Sequence, residues 1–233
     1  MALDLTWLGH GGWQIKSGEC SILLDPFLNE CPTACVKANE IDADFILVSH
    51  GHFDHIADVA DIAKRTGATV VAVFEIAQWL TNNHSVKNTV GMNIGGWADL
   101  QKGDESIGRV KMTLALHSSQ LPDGSYGGNP VGYVLEAGER RVYFACDTAL
   151  FSDMQLIGEL GLDAAVLPIG DLFTMGLQDS VRATQFLNPQ KVLPAHYNTW
   201  PPIEQDADAW ADLIRSQTDA EPIVIQPGET AKI

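Results

Sequence analysis

Ser49-His50-Gly51-His52-Phe53-Asp54-His55 holds three of the chain's seven histidines within six residues. A His-x-His-x-Asp-His run arises by chance on the order of once in two thousand chains of this composition, which points to a site. In an extended segment residues two apart point the same way, so His50 and His52 can direct both imidazoles at one cation. The spacing of Ile56, Val59, Ala60 and Ala63 predicts a helix starting near Ile56. Asp54 and His55 then stand at the turn into that helix, where the change of direction can aim them at a second ion. One ion needs three or four protein ligands, so both pairs must be completed from elsewhere in the chain. A lone histidine is more often a satisfied polar group than a ligand. Four clustered imidazole and carboxylate groups compete for partners unless a cation satisfies them together.

Outward from this stretch the chain repeats one pattern, a short apolar run ending in a polar residue. Leu3 to Leu8 leads to Gly9-His10, Ser21 to Leu24 to Asp25, and Phe45 to Val48 to Ser49-His50. After a gap, Val110 to Leu116 ends at His117, Val142 to Cys146 at Asp147, Ala164 to Ile169 at Gly170-Asp171, and Val192 to Ala195 at His196. Helical spacing marks Phe151 to Leu160, Val181 to Leu187 and Ala207 to Ile214, while Gly95 to Leu116 and Val131 to Phe144 read as hairpins or meanders, the second turning at Gly138-Glu139. The result is a mixed α/β fold with helices covering sheet faces. Ligands in such folds bind beyond the carboxyl ends of strands, so His117, Asp147 and His196 are the candidates to complete the site. No repeat, low-complexity tract or linker offers a boundary, and residues 1–233 are expected to fold as one domain.

Composition narrows the partners. Fourteen Lys and Arg against thirty Asp and Glu leave a net charge of -16, which repels phosphate backbones and anionic bilayers. We therefore expect a small-molecule substrate, with no nucleic acid and no membrane partner. The beginning of the chain lacks a basic segment followed by a long apolar one, and no apolar window is long enough to span a bilayer, so the expectation is a soluble, cytoplasmic protein. Cys20, Cys31, Cys35 and Cys146 are too few for a disulfide scaffold, and no second Cys or His pair lies near Cys31 and Cys35. Strand alternation turns Cys146 to the core if Asp147 faces the site. Exposed apolar loop residues such as Phe173 or Trp200 could join a subunit interface, leaving a homo-oligomer open.

Across nearly its whole length the chain resembles the metallo-β-lactamase fold superfamily. It is most similar to a branch of small metal-dependent hydrolases, UPF0173-like and related to ascorbate-6-phosphate lactonase. The resemblance is carried, in order, by Thr6-Trp7-Leu8-Gly9-His10, Leu24-Asp25-Pro26, the His50 to His55 run, His117-Ser118 and Asp147-Thr148. It continues through Pro168-Ile169-Gly170, Phe173-Thr174-Met175-Gly176 and Pro194-Ala195-His196-Tyr197-Asn198-Thr199-Trp200-Pro201. It implies a four-layer αββα sandwich with one metal held by His50, His52 and His117, a second by Asp54, His55 and His196, and Asp147 bridging the two. Two departures stand out: Cys146 precedes the bridging Asp where the superfamily usually has Gly, and Asp171 occupies a place where relatives carry a small residue.

Two divalent ions are thus expected. Imidazole and carboxylate donors favour Zn2+, with Mn2+ or Fe acceptable. The expected reaction is hydrolysis of a small ester, lactone or related bond by a hydroxide bound at the dinuclear site, with Asp54 orienting the water. His10 is the extra candidate on the substrate side, its alternative being a residue that supports a ligand. Asp25 is expected to be a structural acceptor beneath the site and His84 a surface residue. A phosphodiesterase of small substrates and an iron-dependent oxidoreductase are the competing readings.

Overall fold

The computed structural model describes residues 2–233. In the first half, β1 (Asp4–Gly9), β2 (Gly12–Ser17), β3 (Cys20–Leu24), β4 (Phe45–Leu47), β5 (Thr69–Val73) and β6 (Thr89–Met92) are joined by α1 (Phe53–Ile56), α2 (Val59–Thr66) and α3 (Phe74–His84). The second half runs through β7 (Trp97–Lys102), β8 (Glu105–Leu114), β9 (Val131–Ala137), β10 (Arg140–Phe144), α4 (Met154–Gly158) and β11 (Ala164–Pro168). It continues with α5 (Leu177–Leu187), β12 (Lys191–Ala195), α6 (Ala207–Gln217), β13 (Glu221–Pro222) and β14 (Thr230–Lys232). Two seven-stranded sheets result, ordered β14-β1-β2-β3-β4-β5-β6 and β13-β12-β11-β10-β9-β8-β7. Helices α2 and α3 cover the outer face of the first sheet; α5 and α6 pack on the second, giving the αββα sandwich.

Both sheets are wired alike, although the sequence shows no repeat. Antiparallel strands lead into parallel ones, the change falling at β3 in the first sheet and at β10 in the second. This wiring decides where the site lies. Strands β1, β3 and β4 point the same way in one sheet, as do β8, β10, β11 and β12 in the other. Their carboxyl ends therefore deliver His10, Asp25 and His50 from one sheet, and His117, Asp147 and His196 from the other. The parallel strands β4 and β11 are buried at every residue, as expected for strands covered on both faces. Large side chains such as Trp13, Tyr133 and Phe144 are fully buried in the core.

At the site edge the two sheets are stitched by hydrogen bonds. The His196 amide donates to His10 O at 3.0 Å, the Val131 amide to Ser49 O at 3.0 Å, and the Tyr133 hydroxyl to Val48 O at 2.8 Å. The Val131–Phe144 hairpin turns at Gly138-Glu139 as expected, with Gly138 at φ 61°.

Several boundaries differ from the sequence expectation. The helix expected near Ile56 begins at Phe53 and breaks after Ile56, so Asp54 and His55 belong to a helical turn instead of preceding one. The expected Phe151–Leu160 helix contracts to Met154–Gly158. Strands β8 and β10 end two residues early, at Leu114 and Phe144, because the chain leaves the sheet before it reaches the ligand positions.

Asp58, at the start of α2, anchors the long segment between β3 and β4. Its buried carboxylate accepts from the amides of Leu28 (2.6 Å) and Asn29 (3.0 Å) and from Asn29 Nδ2 (2.6 Å). Replacing it strands buried donors, so Asp58→Ala should lower unfolding stability by about 2–3 kcal/mol. The measurement is a urea midpoint shift at unchanged slope.

Candidate metal centre

The His50–His55 run, His117, Asp147 and His196 converge at the edge where the sheets meet. Ligand-capable atoms of His50, His52 and His117 lie within 4.8 Å of one another, and so do those of His10, Asp54, His55 and His196. Asp147 stands between the groups. Its Oδ2 is 3.1 Å from His196 Nε2, 3.4 Å from His55 Nε2, 3.6 Å from His117 Nε2 and 3.9 Å from His50 Nε2. His50 Nε2 and His52 Nδ1 are 2.9 Å apart.

The surrounding hydrogen bonds set which ring nitrogen faces inward. Asp25 Oδ1 accepts from the Ser49 amide at 2.7 Å, and Asp25 Oδ2 accepts from the Ser49 hydroxyl at 2.5 Å and from His55 Nδ1 at 2.9 Å. With its proton committed to Asp25, the Ser49 oxygen accepts from His50 Nδ1 at 2.9 Å. One buried carboxylate thereby orients His55 directly and His50 through Ser49, leaving both Nε2 atoms turned to the cluster. On the other side His10 is fully buried, and both its nitrogens are engaged. Nε2 donates to Asp54 Oδ2 at 3.0 Å while Nδ1 accepts from the Thr199 hydroxyl at 2.8 Å.

Electrostatics favour positive charge at the centre. Burial alone would depress the His55 imidazole, yet Asp147 and Asp25 hold it well above its usual range. Burial raises Asp147, but His196 and His55 more than reverse this and keep it ionised. Burial likewise works against the Asp54 charge, which the His10 hydrogen bond and His55 hold well below the usual carboxylate range. His50 is pushed well down by burial and by His55, and His10 falls to about 4 through burial and His196.

These features fit a divalent cation. Among the described residues, buried His55 Nε2 and both ring nitrogens of His196 have no hydrogen-bond partner, a costly state that coordination relieves. The space is also kept open by Gly11. A Cβ there would lie 2.9 Å from His55 Cε1 and 3.3 Å from His55 Nδ1.

The remaining candidates from the sequence fall outside the cluster. Cys146 lines a cavity of about 10 Å³ that His55, Asp147 and His196 also line, so it lies directly beside the cluster, yet it packs against the core and joins no ligand-capable group among the described residues. Strand alternation does not set its direction, since Cys146 lies past the strand at φ 54°, a left-handed position suited to Gly. All four cysteines are free, and none joins a His/Asp group among the described residues. Asp171 is exposed, and its carboxylate lies beside Gly176. His84 is half-buried against Trp79, with ring centroids 4.2 Å apart. Sequence reasoning misses Ser49, Thr199 and Gly11 as supporting residues because no spacing rule marks them. Only their adjacency to His50, Trp200 and His10 could draw attention.

An αββα sandwich with a His/Asp cluster at the shared sheet edge defines a class of metal-binding proteins. Residues 21–197 match the family model described as "Beta-lactamase superfamily domain". The chain is 46% identical over 231 residues to a UPF0173 metal-dependent hydrolase of Thermus thermophilus, covering 99% of each chain. It is 43% identical over 236 residues to one of Heliobacterium modesticaldum, covering 98% of this chain and 96% of that one. Among solved structures, Igni18, a metallo hydrolase from Ignicoccus hospitalis, superposes with a TM-score of 0.89 at 34% identity, covering 100% of this chain and 99% of the other. The chain belongs to the β-lactamase superfamily and, within it, to the UPF0173 metal-dependent hydrolases.

If Asp25 orients the ligands, Asp25→Asn should weaken binding of a divalent metal by about 10- to 100-fold. Gly11→Ala, which displaces the His55 ring, should weaken it at least about tenfold. Competition against a chromophoric chelator measures both, and wild-type affinity in Asp25→Asn would separate the network from the cation.

Proposed function

We propose that this chain hydrolyses a small ester, lactone or related bond at a dinuclear centre. His50, His52 and His117 would hold one ion, Asp54, His55 and His196 the other, and Asp147 would bridge them. The observation that carries this reading is the position of Asp147 Oδ2, within 3.9 Å of an imidazole nitrogen from each of four histidines drawn from both groups. The donor set is imidazole and carboxylate only, which favours zinc and also accepts manganese or iron. When bound, such ions lower the pKa of water and polarise the group under attack.

The chain's own residues supply position and charge. Asp54 lines the cavity above the cluster, and its ionised carboxylate can orient a water as a hydrogen-bond acceptor. His10 does not line that cavity; with both nitrogens engaged, it is a positioning residue that holds Asp54. Thr199 fixes the tautomer, since accepting its hydroxyl at Nδ1 leaves the His10 proton on Nε2, facing Asp54. His10 therefore acts from behind Asp54, in place of the substrate-side role that its position at a strand end suggests.

Removing metal with a chelator should abolish hydrolysis of a panel of lactones, esters and thioesters, and adding zinc or manganese should restore it. Asp54→Asn should lower kcat by about a hundredfold or more, while Thr199→Val should lower it by about two- to tenfold at unchanged metal content. Activity supported by iron alone, with redox turnover and no hydrolysis, would sink the proposal.

A further inference from the structure

Above the cluster opens a cavity of about 810 Å³ whose floor includes His52, Asp54, His117, Asp147 and His196. Its walls are apolar: Phe53, Leu121, Pro122, Phe173, Trp200 and Pro202. They come from four separate segments, namely the start of α1, the loop between β8 and β9, and the loops after β11 and β12. Phe53 and Phe173 remain 53% and 54% exposed, an unfavourable contact with water that a ligand at the rim would relieve.

The wall is braced before anything binds. Trp200 packs 4.8 Å from the His10 ring and 6.1 Å from Phe27, which meets Phe53 edge-on at 5.7 Å. Among the described residues, none of the fourteen Lys and Arg lines this cavity. The charged groups that do, Asp54 and Asp147, are acidic, and Ser118 and Gln120 add neutral polar side chains. A phosphate or carboxylate held away from the cluster would find no side-chain cation and would face a chain of net charge -16.

We propose that the substrate seats an uncharged apolar substituent, an aromatic ring or short alkyl chain, in this cavity while its scissile group meets the cluster. The site thereby selects against substituents that end in an anion. The assignment deepens the hydrolase reading above and rests on it for the scissile group, while the apolar subsite stands on the cavity itself. An open space of this size is in the range of pockets that enclose a small organic ligand.

Hydroxamates test it, because the head group anchors on metal and the tail probes the cavity. On the metal-loaded full-length protein, calorimetric affinity should rise roughly fourfold per methylene from aceto- to hexanohydroxamate. A tail of equal length ending in carboxylate should bind at least about tenfold more weakly than the neutral one. Phe173→Asp, at an exposed position where folding is spared, should flatten the length dependence. Leu172→Ala, on the same loop but outside the cavity, should preserve it. A series that fails to bind, binds independently of tail length, or accepts the carboxylate equally well overturns the proposal. Hydrolysis of matched 4-nitrophenyl acetate and hexanoate is read separately. A binding gradient without turnover of either ester leaves the apolar subsite standing and sinks the hydrolase reading. Turnover with no tail preference in binding or rate does the reverse.

Discussion

Asp147 Oδ2, surrounded by His196, His55, His117 and His50, is the point on which both sheets converge. A buried carboxylate among imidazoles is tolerable only where charge and hydrogen bonding are arranged around it, and the fold commits several layers to that end. Asp25 and Ser49 orient two of the rings; Thr199 and His10 hold Asp54; Gly11 leaves room for His55. The hydrogen bonds form two separate chains, one from Asp25 to His50 and His55 and one from Thr199 through His10 to Asp54, that meet at the cluster. The fit to a divalent cation is thus a property of the whole sheet edge rather than of one motif.

Such convergence has a backbone cost. His10, Asp25, Cys146 and His196 all adopt positive φ, between 44° and 55°, just beyond strand ends. Each left-handed non-glycine residue costs about 1–3 kcal/mol, so their grouping at the site edge is strain concentrated where side chains must be re-aimed. A strand that simply continued would alternate its side chains between faces and could not bring consecutive strand-end residues onto one point. The hydrogen bonds from the His196 amide to His10 O and from the Val131 amide to Ser49 O hold this geometry across the two sheets.

Much of the site can be read from the chain because its chemistry is local. Three histidines and an aspartate in six residues announce coordination, and apolar runs ending in His117, Asp147 and His196 identify where further donors enter. The supporting residues are less legible. Ser49 and Thr199 are common types whose role depends on a partner 24 and 189 residues away. His10 is visible as a candidate, but only burial under Phe27 and Trp200 distinguishes a group behind the site from one facing substrate. Periodicity misplaces the helix boundary at Phe53 because a four-residue turn carries almost no periodic signal.

The apolar cavity lies at the far end of that scale. Its walls come from one helix start and three loops with no common pattern, and each of those residues alone could equally be ordinary packing. The sequence by itself determined the cluster of His and Asp side chains, the α/β class and the negative charge, since these depend on residue types and short-range periodicity. Tertiary structure alone decided which nitrogen of His50 and of His55 faces inward, that His10 backs Asp54, and that the mouth is aromatic and, among the described residues, lined by no cationic side chain. Those properties arise from contacts between residues distant in the chain, whose geometry is set only when two sheets meet at one edge.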